Sequence, residues 1–366
     1  MASPPSSADP RKNTNHTSNI TNTKTAITER RRRQYTPGGN GPTGVNIVLT
    51  RRHGIALLAN ACQHQRVPTS HSPAPEHPPT QDLLSWFDMF CRDLPWRFTD
   101  NSTDIRTQSW AILVSEIMLQ QTPVNRVLPV FLTWMTRWPT PASLAAADTA
   151  QVIRAWGRLG YPRRAMRLHE AARIIAADHD GVVPSDESTL RALPGVGEYT
   201  AGAVRAFAYH LPALTLDTNV RRVLARYLKA TALPPSHLTR AERDQAWALM
   251  PVNNEARWMA ALMELGALVC TAKNPACDRC PLVSSCAWVA AGRPEPSTIT
   301  RRQPTYAGSD RQARGVILAL LRDASEPIHP IDIAWPDQPQ RDRALASLIT
   351  DGLVQPLTDG RIQLPV

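Results

Sequence analysis

The chain has no run of eighteen or more apolar residues, the length that a bilayer-spanning helix requires. Its longest apolar stretch, Trp110 to Leu119, is short and is broken by Ser115 and Glu116. No signal-peptide pattern is present. Cysteine is sparse, with six in 366 residues. Four of them crowd together as Cys270, Cys277, Cys280 and Cys286, while Cys62 and Cys91 stand apart. One local cluster in a long chain points away from a disulfide framework and toward a metal or iron–sulfur site. Strand-like alternation is scarce through most of the chain. These absences set the expectation of a soluble, cytoplasmic protein that makes no use of a membrane.

What is present is length, apolar bulk and positive charge. The 42% apolar fraction is enough for a large core, and 366 residues suffice for two or three domains. The net charge of +10 calls for a polyanionic partner, either nucleic acid or an anionic surface. Charge alone does not choose between them.

Four regions follow from composition. Residues 1–78 are rich in Ser, Thr, Asn and Pro and carry the basic run Arg30-Arg31-Arg32-Arg33. They read as a disordered extension, either a solvated tail or an arm touching phosphates. Residues 79–291 show helical spacing, as in Leu83, Leu84, Phe87 and Phe90, with frequent proline punctuation. Residues 292–307 form a linker rich in Pro, Arg and Thr. Residues 308–366 read as two helices, Arg311 to Arg322 and Gln340 to Asp351, then a hairpin turning at Asp359-Gly360. That order predicts a small winged-helix-like module. Its core would hold Ile317, Leu320, Ala344 and Leu348, and Arg311, Arg314, Arg341 and Arg343 would be open to phosphate. The fold class expected is mainly α, with a small C-terminal α/β module.

Four motifs carry chemistry. In the first, a short helix, Asp186 to Ala192, leads through Leu193-Pro194-Gly195-Val196-Gly197 into a second helix from Tyr199. A Gly-x-Gly turn lets backbone approach a ligand closely, and the N–H groups opening the second helix suit a phosphate. The same pattern also makes an ordinary helix–helix turn. The second motif is Cys270-x6-Cys277-x2-Cys280-x5-Cys286. Four thiolates can bind zinc or a four-iron cluster, and the single CxxC with long flanking gaps favours the cluster.

In the third, Ser115-Glu116-Ile117-Met118-Leu119-Gln120-Gln121-Thr122, a carboxylate sits late in an apolar helix with no basic residue four positions away. Glu116 is either a solvated helix residue or a buried acid with a raised pKa. Gln120, Gln121 and Thr122 make a polar tip before Pro123. In the fourth, Asp217 precedes a helix in Leu216-Asp217-Thr218-Asn219-Val220-Arg221-Arg222. It is a helix N-cap, a carboxylate facing a cleft, or both.

Taken together, residues 79–291 resemble the endonuclease III superfamily in the order Gly195, Asp217, Cys270, Cys277, Cys280 and Cys286. Within it, Leu94-Pro95-Trp96-Arg97, Ser115 to Thr122, Leu159-Gly160-Tyr161 and Leu216 to Val220 resemble the A/G-specific adenine glycosylases, the MutY family. The resemblance implies a helix-hairpin-helix DNA glycosylase fold with one 4Fe-4S cluster in the loop 270–286. The implied reaction is removal of adenine mispaired with 8-oxoguanine or guanine in double-stranded DNA, by a monomer at the bacterial nucleoid. Glu116 would act as general acid and Asp217 would stabilise or trap the sugar cation, with Asn219 positioning water or the carboxylate. Arg92, Trp96, Arg97 and Leu119 would line the adenine pocket. Gln120, Gln121, Thr122, Tyr161, Gly195, Val196, Gly197, Arg221 and Lys273 would meet DNA. Tyr199 stands where strand-cleaving relatives carry a lysine, so the enzyme would be monofunctional.

Three departures mark this chain. It has Trp258-Met259-Ala260-Ala261 where the family often carries a polar adenine contact, and Gly160-Tyr161-Pro162 where the family often has Gly-Tyr-Tyr. The tail after Cys286 is short for the Nudix-like domain that reads 8-oxoguanine in many members. Two competing readings remain: a thymine or uracil mismatch glycosylase of the same superfamily, and a non-catalytic redox-sensing DNA binder. Glu116 argues against the first, and Glu116 with Asp217 argues against the second.

Overall fold

Helix α2 (Ile105–Leu119) is apolar on every side, and every residue from Gln108 to Met118 is buried. A helix of that kind belongs inside a bundle rather than on its surface. It is enclosed by α3 (Val124–Arg137), α6 (Arg163–Asp178) and α8 (Glu198–Tyr209). The first core forms around it, with Trp110, Trp134 and Trp156 fully buried. Trp134 meets Trp138 and Trp156 edge-on at 4.8 and 5.5 Å, the arrangement aromatic quadrupoles favour. The short helices α4 (Pro141–Ala145), α5 (Thr149–Trp156) and α7 (Glu187–Ala192) complete this half.

This computed structural model describes residues 79–97, 103–296 and 305–366. The readings of residues 1–78 and of Cys62 lie outside the described residues. A second core brings α1 (Thr80–Phe90) to α9 (Thr218–Lys229) and α11 (Glu255–Leu268), burying Leu83, Tyr227, Trp258 and Leu262. Helix α10 (Arg240–Leu249) flanks it, and the cysteine loop with α12 (Ala287–Ala290) closes it. A cleft separates the two cores. The C-terminus of α2 and the N-termini of α8 and α9 open onto it.

The C-terminal elements are α13 (Asp310–Asp323), a 3-10 turn (Pro330–Asp332), α14 (Gln338–Thr350) and the antiparallel pair β1 (Gln355–Pro356) and β2 (Ile362–Gln363). Ile328 bridges to Ile362 beside that pair. The order matches the helix–helix–hairpin pattern of the sequence. Both helices start earlier than expected because Ser309 and Asp337 cap them through the amides of Gln312 and Gln340. Ile317, Ala344 and Leu348 are buried as expected. Leu320 is not: it is 40% exposed, and Leu318 and Leu321 take the inward positions. These elements share a core with the helical body through Ile153. Arg154 also donates to the carbonyls of Arg322 and Ala324 at 3.2 and 3.1 Å.

Candidate active site

The cleft between the two cores holds a cavity of about 1010 Å³ lined by Glu116, Tyr199, Asp217, Arg92, Arg97 and Glu264, among others. Glu116 comes from the last turn of α2 and is only 7% exposed. Burial pushes its pKa from 4.5 up to about 7, the Tyr199 hydroxyl opposes the rise, and the Asp217 charge adds to it. Of the two sequence readings of Glu116, the structure shows the buried acid. The Tyr199 hydroxyl lies between this carboxyl and Met263 Sδ, which it reaches at 3.9 Å. Burial and the two nearby carboxylates hold the phenol well above its ordinary pKa, so it remains a proton-bearing donor.

Asp217 fills both of its sequence roles. Its Oδ1 accepts from the Val220 amide at 2.7 Å and caps α9. Its Oδ2 accepts from Asn219 Nδ2 at 2.7 Å, and the same side chain lines the cavity. Burial raises its pKa against the pull of those hydrogen bonds. Asn219 is itself held, because Arg222 donates to Asn219 Oδ1 at 2.8 Å, to the Gly266 carbonyl at 2.7 Å and to the Cys270 carbonyl at 2.8 Å. Helices α9 and α11 come close enough here that a Cβ on Gly266 would lie 2.7 Å from Asn219 Cβ. Only glycine permits that approach.

The expected adenine-pocket residues Arg92, Trp96, Arg97 and Leu119 all line the cavity. Sequence reasoning missed the group that organises them. Glu264, 1% exposed on its side chain, accepts from Arg92 Nε at 2.7 Å and from Arg97 at 3.1 Å. Burial pushes its pKa up, but the bonds from Arg92 and the charge of both arginines outweigh that and hold it low. The signal was available, since Glu264 is a second carboxylate in an apolar helix with no base four residues away. Trp96 is buried edge-on against Phe131 at 5.0 Å. Ala260 also faces the cavity, so the polar contact missing from the sequence is missing there too.

The polar tip after α2 divides its labour. Gln120 Nε2 donates to the Gly195 carbonyl at 3.2 Å and so ties the tip to the hairpin turn. Gln121 is exposed, with a left-handed φ of 56°. Thr122 is the third residue of the tip expected to meet DNA. Its side chain is buried, donating to the Leu159 carbonyl at 3.3 Å and accepting from Arg164 at 2.9 Å. Arg164, also missed in the sequence, donates to the carbonyls of Ile117, Met118 and Gln120 at 2.9, 3.0 and 2.5 Å. These are carbonyls that a helix end leaves without partners.

At the hairpin, Gly195 has φ 85°, and the Val196 amide closes the turn onto the Leu193 carbonyl at 3.1 Å. The Val196 side chain is buried. Gly195 is half-buried and Gly197 exposed, just ahead of α8. Tyr161 and Lys273 are exposed. Arg221, also expected to meet DNA, lines the cavity while it donates to Glu242 in two bonds of 3.0 Å and to the carbonyls of Pro235 and His237.

Below the Asp217 network, Cys270, Cys277, Cys280 and Cys286 are free thiols that interact electrostatically with one another. Burial pushes Cys280 up to about 12 and also raises Cys286, and the neighbouring thiols add to both effects. Four cysteines close together in one loop are a donor set that suits an iron–sulfur cluster. Arg226 donates to Cys270 Sγ at 3.3 Å and to the Thr271 carbonyl at 2.8 Å. Among the described residues, no group of three or more His, Cys, Asp or Glu side chains is set for a single metal ion.

Comparison with known proteins agrees with this geometry. Residues 114–248 match the HhH-GPD superfamily of base excision DNA repair proteins, and residues 270–286 match the iron–sulfur binding domain of endonuclease III. An adenine DNA glycosylase of Mycolicibacterium smegmatis is 52% identical over 287 residues, covering 77% of this chain and 94% of that protein. The chain belongs to the adenine DNA glycosylase family. Human adenine DNA glycosylase is 42% identical over 210 residues, covering 56% of this chain and 38% of that one. The solved structure of a thermostable thymine-DNA glycosylase is similar with a TM-score of 0.51 and 26% identity, covering 58% of this chain and 95% of that one. As a member of the family, this base excision repair enzyme hydrolyses N-glycosyl bonds in DNA and carries an iron–sulfur cluster in the loop 270–286. Among the described residues, no helix is long and apolar enough to cross a membrane.

Proposed function

We propose that this adenine glycosylase acts as a monomer on adenine mispaired with 8-oxoguanine or guanine, and that it releases the base without cutting the strand. One observation carries the reading: a buried carboxyl, Glu116, and a half-buried one, Asp217, line the same cavity, and the first has a pKa near 7. A carboxyl poised near neutral pH can give a proton and take one back.

The target nucleotide turns out of the duplex and its base enters the cavity. Glu116 gives its proton to the adenine ring, the N-glycosidic bond breaks, and the bond pair leaves with the base. The sugar left behind carries positive charge, which the Asp217 carboxylate stabilises at close range. Water then adds to the anomeric carbon and returns a proton to Glu116. Asn219 and the Val220 amide fix the direction of Asp217. Arg92, Arg97 and Glu264 form the polar wall against the base, and Trp96 and Leu119 the apolar one. Tyr199 offers no amine, so no imine forms with the sugar and the abasic strand stays intact.

Cys270, Cys277, Cys280 and Cys286 hold the cluster, which we assign as 4Fe-4S. The single CxxC with long flanking gaps, in a loop that matches the iron–sulfur binding domain of endonuclease III, supports the cluster over zinc. Held by these four cysteines, a cluster would tie down the loop that carries Cys270 and Lys273, and with it the carbonyl to which Arg222 donates. Base release from duplexes with adenine, thymine or uracil opposite guanine or 8-oxoguanine tests the substrate assignment: only adenine should be released, and release of thymine or uracil instead would contradict it.

A further inference from the structure

Gln120 and Gln121 stand between two spaces. On one side lies the cavity of Glu116 and Asp217. On the other, a groove of about 1380 Å³ runs between residues 157–167 of the helical body and helix α13 of the C-terminal module. Its walls carry Arg126, Arg158, Arg163 and Arg167 from the body and Arg311 and Arg314 from α13, among others, and no Asp or Glu among the described residues lines it.

Not all of these charges are open. Arg163 and Arg314 share Asp351, at 3.3 and 2.6 Å. Arg126, Arg158, Arg167 and Arg311 are exposed and, among the described residues, have no carboxylate partner in an ion pair. Arg311 lies over the Tyr306 ring at 5.2 Å and reaches the Tyr161 hydroxyl at 3.4 Å. Tyr161 itself is 47% exposed and stands in the groove with a left-handed φ of 47°. Arg167 packs against the hairpin, where a Cβ on Gly195 would lie 3.1 Å from Arg167 Cβ. Open guanidinium groups beside an exposed aromatic ring have the chemistry of a nucleic-acid track.

We propose that α13, through Arg311, forms the far wall of a groove that binds the phosphate backbone of the strand opposite the excised adenine. The inference rests on the proposed function. A nucleotide turned into the Glu116 cavity passes one side of Gln121, and the strand it was paired with remains on the other side, where the groove lies. The module therefore meets DNA with its first helix. The face of α14, the helix that a helix-turn-helix unit would place in the major groove, is not built for phosphate. Its exposed residues are Gln338, Pro339, Asp342, Arg343, Ala346 and Thr350. Arg343 pairs with Asp310 at 3.8 Å and Arg341 with Asp342 at 2.9 Å. Of the four arginines the sequence offered for phosphate, only Arg311 lacks a carboxylate partner among the described residues.

The test uses the full-length chain and a duplex with a tetrahydrofuran abasic analogue opposite guanine, which binds but is not processed. Arg311→Ala changes an exposed side chain and leaves the core intact. It should weaken binding several-fold and lower the slope of log affinity against log salt by about 1. Arg343→Ala should change neither. Single methylphosphonate linkages, stepped along each strand, identify the contact. At one linkage of the opposite strand the neutral substitution should weaken wild type and leave Arg311→Ala unaffected. Unchanged binding by Arg311→Ala, or coupling confined to the adenine strand, would overturn the proposal. Adenine release by wild type, measured in parallel, reads the catalytic assignment separately. Tight binding with the expected coupling but no adenine release would remove that assignment and leave the groove in place.

Discussion

Asn219 donates its side-chain amide to Asp217 Oδ2 at 2.7 Å, while the other carboxylate oxygen caps helix α9. The cap and the cavity thus share one side chain, and the two contributions can be separated by substitution. Asn caps a helix about as well as Asp. Asp217→Asn should therefore change stability by less than about 1 kcal/mol. It should lower single-turnover adenine release by roughly 100- to 1,000-fold, because a neutral amide stabilises a cation poorly. Thermal unfolding and rapid-quench kinetics on the same preparation check both halves.

Asn219→Ala acts on the same carboxylate from the other side. The bond from Asn219 opposes the rise in the Asp217 pKa. Without it, that pKa should climb further, and the acidic limb of the pH–rate profile should move to higher pH. A lower rate at every pH with an unmoved limb would mean that Asn219 serves only to pack α9 against Gly266.

Burial of Glu116 has a stability consequence whose sign is fixed. Its pKa rises from 4.5 to about 7 in the folded chain, so the folded state holds the proton more tightly than the unfolded state. Below about pH 4 the carboxyl is protonated in both states and costs nothing. Between roughly pH 4.5 and 7 the unfolded state gains by ionising, and stability falls with rising pH. The loss approaches roughly 3 kcal/mol and levels off above pH 7. Glu116→Gln should therefore be more stable than wild type at pH 8, with the advantage vanishing near pH 4. Denaturant titrations at the two pH values measure it.

Tyr199 predicts the product. Wild-type enzyme should leave an abasic strand that breaks only after hot alkali. Rapid strand breakage without alkali, with enzyme trapped on DNA by borohydride, would mean that another amine, such as Lys229 or Lys273, forms an imine.

Anaerobically purified protein should contain about four iron and four sulfide per chain, with a broad sulfur-to-iron charge-transfer absorbance. Stoichiometric zinc without iron would contradict the cluster assignment. Removing the cluster should also loosen the loop whose Cys270 carbonyl receives Arg222, a change that hydrogen exchange at residues 270–286 reports.

Much of this site was legible in the sequence because its chemistry depends on residue type and spacing. Glu116 announced itself as an acid in an apolar helix, Asp217 as a cap beside a polar pair, and the cysteines by their intervals. The partners that fix these groups were not legible. Glu264 lies 172 residues from Arg92 and Arg222 lies 48 from Cys270, and such pairs are set by how helices pack, which local periodicity does not encode. Arg221 and Arg222 are neighbours of the same type, yet one turns to Glu242 and the other to Asn219. Thr122 and Gln121 likewise face opposite ways because the chain turns left-handed at Gln121. Leu320 escaped its expected place in the core because α13 turns Leu318 and Leu321 inward instead.

Single-turnover release of free adenine from a duplex with adenine opposite 8-oxoguanine, measured for wild type and for Glu116→Gln, tests the central claim most directly. Wild type should release adenine opposite 8-oxoguanine and guanine and leave thymine and uracil in the same contexts untouched. Its rate should fall as pH rises through about 7, where Glu116 loses its proton. Glu116→Gln should bind the duplex and release no adenine at any pH. Substantial adenine release by Glu116→Gln, or a wild type that prefers thymine or uracil, would contradict the account.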